Sequence, residues 1–270
     1  MKLYPRMRER PPEFRLNPQW PLYASLVYAF LPAPTQKECP DVLWRNPPTV
    51  LYGNARIEYS PFLRRFVAVC DTTSDYCASY PLTTPLPVKF TWSCWIFPTN
   101  YSGTHRGSVC NFANGIAGFT SDKNIGISDT GVPYAYIYTG APQRANGPYI
   151  LQQNTWGHVV GVNSIGTLGC ALNGTYGTKI SVGLPQSTQT PFAVTLMRSW
   201  DGPQTGMIAD ALLFNDSHEN AILALADPDN VDLRVGGVPL ILPPRRRSWP
   251  GITITTQDEV ITLPTLLAEC

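Results

Sequence analysis

Phe90-Thr-Trp-Ser-Cys-Trp-Ile-Phe-Pro98 is the stretch whose reading decides the fold. It is a run of aromatic, β-branched and small residues stopped by proline, which is strand chemistry rather than helix chemistry. A second stretch of the same character, Trp156-Gly-His-Val-Val-Gly-Val162, is followed after a short gap by Leu172-Asn-Gly174. Asn-Gly is a strong signal for a two-residue hairpin turn, because both positions tolerate a left-handed backbone. The two stretches therefore read as consecutive strands of an antiparallel sandwich, the second hairpin turning at Asn173-Gly174.

Composition agrees. The 270 residues are 43% hydrophobic and 11% aromatic, ample for a core, and 27 prolines and 21 glycines with only 14% charged residues suit short strands and tight turns. All-β is the expected class. The expected organisation is one domain with long ends: an extended arm over 1–21, a sandwich over 22–228 with its signatures in 88–227, and an extended tail over 229–270. A formal charge of +1 gives no broad field for nucleic acid or an anionic membrane, since both need clustered basic charge. No apolar run reaches the roughly 20 residues that span a bilayer; the longest, Leu22 to Leu31, contains two tyrosines and ends at Pro32. The N-terminus carries positive charge without an apolar segment or a small-residue cleavage site behind it, so no secretory signal is expected and the chain is placed in a reducing cytoplasm. The seven cysteines are then expected as free thiols, Cys94 and Cys170 as small apolar strand residues, although Cys70 and Cys77 could bridge. No Cys-x-x-Cys pair offers a metal site.

Along the chain, residues 1–21 are rich in proline and arginine with no apolar period, and read as an arm that something else must hold. Leu22 to Phe30 reads as a first strand and Phe62 to Cys70 as a later one, with 32–56 a loop or a pair of short strands and Ser79 to Pro87 a connection. After Pro98 come short strands at Gly107 to Ala113, Gly115 to Thr120, Asn124 to Ile127 and Pro133 to Thr139, then at Thr178 to Val182, Phe192 to Met197 and Gly206 to Phe214. Tyr134, Tyr136 and Tyr138 fall at i, i+2 and i+4, so on a strand they share one face that needs a partner surface. One short helix is expected over Asn215 to Ala226, capped by Ser217 and stopped by Pro228.

Residues 88–227 resemble the laminin-G type of concanavalin A-like lectin/glucanase jelly roll. The resemblance rests on Phe90-x-x-x-x-Trp95-Ile-x-Pro98, Trp156-x-His158-Val159, the Asn173-Gly174 hairpin, and Gly206-x-Ile208-Ala-Asp210-Ala-Leu-Leu-Phe214. Asn17-Pro-Gln-Trp-Pro-Leu22 ahead of Leu26 to Phe30 is similar to the lead-in of laminin-G-like proteins of tailed bacteriophages, with Tyr23-Ala-Ser where that pattern has a glycine. Pro243-Pro-Arg-Arg-Arg-Ser-Trp-Pro250 looks like endings of phage structural proteins.

Glucanases on this fold use two carboxylates on one strand, spaced as in Glu-x-Asp-x-x-Glu. No such strand exists here: the glutamates are Glu9, Glu13, Glu38, Glu58, Glu219, Glu259 and Glu269, nearly all in arms or loops. No catalytic residue and no cofactor is expected. Asp122, Asp129 and Asp201 could give oxygens to a structural Ca2+ of the kind the resemblance implies, but solvated loop aspartates are the commoner case. His158 is expected to be structural, and Asp210 to fix the strand exit. The tyrosine stripe Tyr134, Tyr136, Tyr138 with Trp200 is the expected aromatic face, for a protein contact or a sugar ring. Arg6, Arg8, Arg10, Arg15 and Trp20 in the arm, and Arg245, Arg246, Arg247 and Trp249 in the tail, are the expected contacts to partner subunits. The resulting expectation is a non-enzymatic virion structural protein of a tailed phage, assembled in the host cytoplasm. It would be a capsid decoration protein lashed by its arms to the major capsid protein and to further copies of itself as a homo-oligomer. The alternative is a lectin-like module of a tail, fibre or collar protein that contacts host polysaccharide.

Overall fold

The computed structural model describes residues 22–32, 37–39, 43, 46–82, 88–101, 107–114, 121–183, 192–199, 202–219, 226, 253–255 and 260–262. Strands are numbered β1–β21 along the chain. A nine-stranded sheet is formed by β1 (Leu26–Phe30), β4 (Arg56–Ser60), β5 (Arg65–Cys70), β7 (Phe90–Asn100), β12 (Gly157–Ser164), β13 (Thr167–Leu172), β14 (Thr175–Tyr176), β15 (Ile180–Ser181) and β19 (Thr205–Phe214). Its main order is β14-β13-β12-β7-β19-β5-β4, with β1 paired to β19 and β15 to β13. An eight-stranded sheet follows the order β11-β10-β9-β8-β16-β6-β3-β2, built from β2 (Glu38–Cys39), β3 (Thr49–Tyr52), β6 (Tyr76–Leu82), β8 (Gly107–Asn114), β9 (Ser121–Ile127), β10 (Pro133–Tyr138), β11 (Pro142–Asn146) and β16 (Phe192–Leu196). Two small hairpins, β17 (Arg198–Ser199) with β18 (Gly202–Pro203) and β20 (Thr253–Thr255) with β21 (Val260–Thr262), complete the strands. All pairings are antiparallel, as expected for a jelly-roll sandwich.

The decisive stretch forms β7, in the middle of its sheet, where strand alternation sends Phe90, Trp92, Cys94 and Ile96 into the space between the sheets. Trp92 meets Tyr28 of β1 at 6.5 Å and Phe112 of β8 at 6.0 Å, both edge-on. Each such pair adds about 0.5–1.5 kcal/mol beyond the area it buries. The sheets come together where Val159, Gly161 and Ile125 face one another. A Cβ on Gly161 would lie 2.4 Å from Ile125 Cγ2 and 3.0 Å from Ala135 Cβ, so glycine at that point sets the sheet spacing. The β13–β14 connection turns at Asn173 and Gly174 with φ of 49° and 80°, the left-handed pair that an Asn-Gly hairpin supplies.

Strand ends differ from expectation in physically traceable ways. The first strand begins at Leu26 because Tyr23–Ser25 form a 3-10 turn closed by Ser25 N–H donating to Leu22 O. Residues 61–64 turn rather than extend, so that strand starts at Arg65. The supposed connection from Ser79 is the second half of β6. The helix expected from Asn215 is absent in its first turn: Asn215 N–H donates to Ser25 O, Ser217 N–H to Asp216 Oδ1 and His218 N–H to Thr91 Oγ1. The amides that would open a helix are taken elsewhere, and residues 220–225 lie outside those described. No helix among the described residues is long and apolar enough to cross a membrane.

The open sheet edges are blunted. β14 and β2 are two residues long, β11 begins at Pro142, and β4 exposes Arg56 and Glu58. Arg56 is ion-paired to both Glu58 and Asp71. Short, charged or proline-bearing edges resist pairing with other chains.

Candidate functional site

The core takes Leu51, Cys77, Leu196, Cys110, Ile125 and Ala135 from the inner face of the eight-stranded sheet. Alternation therefore turns their neighbours outward, and the register lines these up across seven strands as Val50, Ala78, Thr195, Asn111, Asn124, Tyr136 and Arg144. The middle of this row is polar yet wholly buried. Asn111 Nδ2 donates to Thr195 Oγ1 at 3.2 Å, and Thr195 Oγ1 donates to Arg198 O at 2.9 Å. Asn111 Oδ1, also buried, has no protein partner.

The β17–β18 hairpin lies over β8 on this side. Met197 N–H donates to Val109 O and Gln204 N–H to Met197 O, while Gln204 Nε2 donates to the carbonyls of Asn100 at 2.6 Å and Thr205 at 3.0 Å. The hairpin thus ties the face to the adjoining sheet end.

Two arginine–tyrosine pairs flank the row. At one end the Arg144 guanidinium lies 4.3 Å from the Tyr134 ring centre, and its Nε donates to Asn146 Oδ1 at 2.9 Å. Gly126 makes room there, since a Cβ would sit 2.5 Å from the Tyr134 hydroxyl. At the other end Tyr52 of β3 stacks on Tyr76 of β6, centres 4.6 Å apart and planes 4° from parallel, and Arg198 sits 4.9 Å from the Tyr76 ring. Burial pushes the Tyr76 phenol up while the Arg198 cation pulls it back. Tyr52, Tyr76 and Arg198 are half-buried, and further along β6 Tyr80 is exposed.

These positions correct the expected aromatic face. Tyr134 is fully buried and Tyr136 only 9% accessible, because Arg144, Gly126 and the neighbouring outward side chains close around them; Tyr138 is half-buried. Of the other tyrosines on this sheet Tyr80 is exposed, and Tyr52 and Tyr76 are half-buried like Tyr138. Trp200, and Arg6, Arg8, Arg10, Arg15, Trp20, Arg245, Arg246, Arg247 and Trp249, lie outside the described residues. So do the side chains of Asp122 and Asp201; Asp129 is exposed in the turn after β9. Among the described residues no group of three His, Cys, Asp or Glu could hold a metal ion.

A second polar cluster sits on the outer side of the nine-stranded sheet. His158 Nε2 is 2.8 Å from Ser93 Oγ, and the ring lies 5.2 Å from Trp95. Asp210, at φ 47° on a bulge where β19 slips register against β7, is ion-paired with Arg65. Burial holds the His158 imidazole neutral, its pKa down to about 3 despite the opposing charge of Asp210. Serine and histidine thus meet, while the aspartate pairs with Arg65 and acts on the ring only through its charge; all are buried, and the cluster ties β5, β7, β12 and β19 together.

Residues 71–221, over half of the chain, match the family Laminin_G_3, described as the concanavalin A-like lectin/glucanases superfamily. None of the curated proteins is detectably similar in sequence. Among solved structures, domain 4 of the extracellular arabinanase AbnA of Geobacillus stearothermophilus, in complex with arabinotriose, superposes with a TM-score of 0.58 at 13% identity, over 75% of this chain and 98% of that domain. The binding domain of Paraclostridial Mosquitocidal Protein 1 gives 0.58 at 12%, over 76% of this chain and 52% of that one. The botulinum neurotoxin type C structure whose cell entry depends on two ganglioside molecules gives 0.55 at 14%, over 76% and 51%. The chain thus spans nearly all of the arabinanase domain and about half of each toxin structure. At such identities the likeness is one of fold. A role in a phage particle draws no support from these resemblances. The sandwich, its strand order and the span of the match together make the chain a member of the concanavalin A-like lectin/glucanase superfamily.

Proposed function

We propose that the chain is a non-enzymatic, lectin-like module that binds carbohydrate at the Tyr52–Tyr76–Arg198 corner of the eight-stranded sheet. The observation that carries this reading is the half-buried parallel tyrosine pair with a guanidinium against it. A sugar ring offers one apolar face and a rim of hydroxyls; an aromatic ring meets the first and arginine N–H donors meet the second. The buried Thr195–Asn111 bonds beneath hold the corner rigid, which limits the ordering entropy lost on binding. Two of the structurally similar proteins engage sugars, the arabinanase domain in complex with arabinotriose and the neurotoxin through two ganglioside molecules, and they support the same direction.

The test is a screen of the purified full chain against an array of neutral and acidic oligosaccharides, followed by calorimetric titration of the best binder. Tyr76→Ala should weaken binding about tenfold, the equivalent of ~1.4 kcal/mol, while circular dichroism stays that of the wild type. A folded Tyr76→Ala protein that binds unchanged would remove this corner as the site, and an array with no binder would remove the function.

A further inference from the structure

Strand β16 leaves the eight-stranded sheet by a step that reverses its alternation. Val194 and Leu196 belong to the core, and Thr195 stands on the outer side, bonded to Asn111. A regular strand would therefore send Met197 outward and Arg198 into the apolar space between the sheets, where an unpaired charge is costly. The opposite is found. Met197 is fully buried within the core cluster, and Arg198 lies outside it, half-buried, with its guanidinium 4.9 Å from the Tyr76 ring centre. The inversion happens at one residue, since Met197 has a φ of 66°. That left-handed backbone is uncommon outside glycine and most out of place under a bulky side chain. Where the chain bends again nearby, at Gly202 and Gly206 with φ of 124° and 138°, the residue is glycine. Both backbone groups of Met197 are used in this conformation: its N–H donates to Val109 O at 2.8 Å and its carbonyl accepts from Gln204 N–H at 2.9 Å. One residue on, the Arg198 carbonyl accepts from Thr195 Oγ1 at 2.9 Å, and Arg198 pairs with Pro203 across the hairpin. The unbranched, flexible thioether chain can follow the turned backbone inward and fill the core.

We propose that Met197 is the positioning residue of the Tyr52–Tyr76–Arg198 corner: its left-handed backbone turns the Arg198 guanidinium out of the core and onto Tyr76, and its buried side chain anchors the turn. The inference rests on the carbohydrate reading of that corner and adds to it a residue that is sealed from solvent and meets no sugar. Strain held at a site where a charged side chain must be aimed is the use to which such backbone is put elsewhere in proteins.

The test separates backbone conformation from core packing. Met197→Val keeps an apolar side chain in the core but is among the residues least able to take this backbone. Met197→Gly gives up the side chain and takes the backbone freely. In the isotopically labelled full chain, NMR should find the Arg198 side-chain protons shifted upfield by the Tyr76 ring current, a shift assigned by its loss in Tyr76→Leu. Met197→Val should lose that shift and bind the oligosaccharide selected from the array about tenfold more weakly, as Tyr76→Ala does. Met197→Gly, though less stable than the native chain, should keep both the shift and the binding. A role in core packing alone predicts the reverse order. Should Met197→Val fail to fold, the melting temperatures of Met197→Gly and Met197→Ala decide: alanine is ordinarily the more stable of the two, but at a left-handed position glycine should melt higher. A folded Met197→Val with the shift intact, a Met197→Gly without it, or a Met197→Ala that melts above Met197→Gly overturns the proposal. An array without a binder removes the carbohydrate reading alone, because the shift and the melting order still decide what Met197 does.

Discussion

At His158 an ionisable ring is sealed under Trp95 with Ser93 as its partner at Nε2 and no protein partner at Nδ1. Its folded-state pKa of about 3 lies below the roughly 6.5 of an unfolded chain. Above about pH 6.5 neither state takes the proton, so the group's contribution is fully present; as pH falls from there towards about 3, the unfolded chain binds a proton that the folded ring refuses, and stability is lost. Urea unfolding at about pH 7.5 and about pH 4.5 should therefore differ by on the order of 3 kcal/mol from this group. His158→Gln should lose that part of the difference, and an unchanged pH slope would show that the ring does not govern it. Next to it, the Arg65–Asp210 pair has both partners almost enclosed. Removing one charge from such a pair strands the other, at a cost of about 3–5 kcal/mol. Asp210→Asn keeps a residue that tolerates the φ of 47°, so chemical denaturation of that variant reads the lost charge pairing with little added backbone strain.

Where β12 crosses β9 and β10, Gly161 leaves no room for a side chain. Gly161→Val should overpack the core by about 1–3 kcal/mol and lower the thermal midpoint by several degrees; an unchanged midpoint would mean that the sheets can part at no cost. Strands like β7, β12 and β19 were legible in the sequence because they are buried on both faces and read as continuous apolar runs with turn signals around them. β4 and β11 were not: Arg56-Ile-Glu-Tyr-Ser60 and Pro142-Gln-Arg-Ala-Asn146 are edge strands held by a neighbour's ladder, with little apolar content of their own. Pro81 disguised the end of β6. The Tyr52–Tyr76–Arg198 corner was hidden for a related reason: its residues come from β3, β6 and β17, and only the β3–β6 pairing and the position of the hairpin bring them together. In the polar row beside it, Thr195 of β16 is distant in sequence from Asn111 and Asn124 on the consecutive strands β8 and β9, and only the register places them side by side. Tyr134, Tyr136 and Tyr138 do share a face, but alternation cannot tell a covered outer face from an open one.

Over the whole molecule the two sheets divide the work. The nine-stranded sheet carries the apolar clusters and the buried His158–Ser93 and Arg65–Asp210 contacts that give rigidity, and the eight-stranded sheet carries the tyrosine–arginine pairs that face outward. On the proposed reading, stability and glycan binding separate: Tyr76→Ala should leave the melting temperature nearly unchanged, whereas Gly161→Val should lower it and leave the proposed corner as it is in whatever remains folded. The charged rim at β4 bears on behaviour in crowded solution. Arg56 and Glu58 stand where a neighbouring molecule would otherwise dock backbone to backbone, so replacing both with valine should let particles grow laterally into ribbons, visible as rising light scatter with concentration. The native chain, fenced in this way, should show flat scatter over the same concentrations.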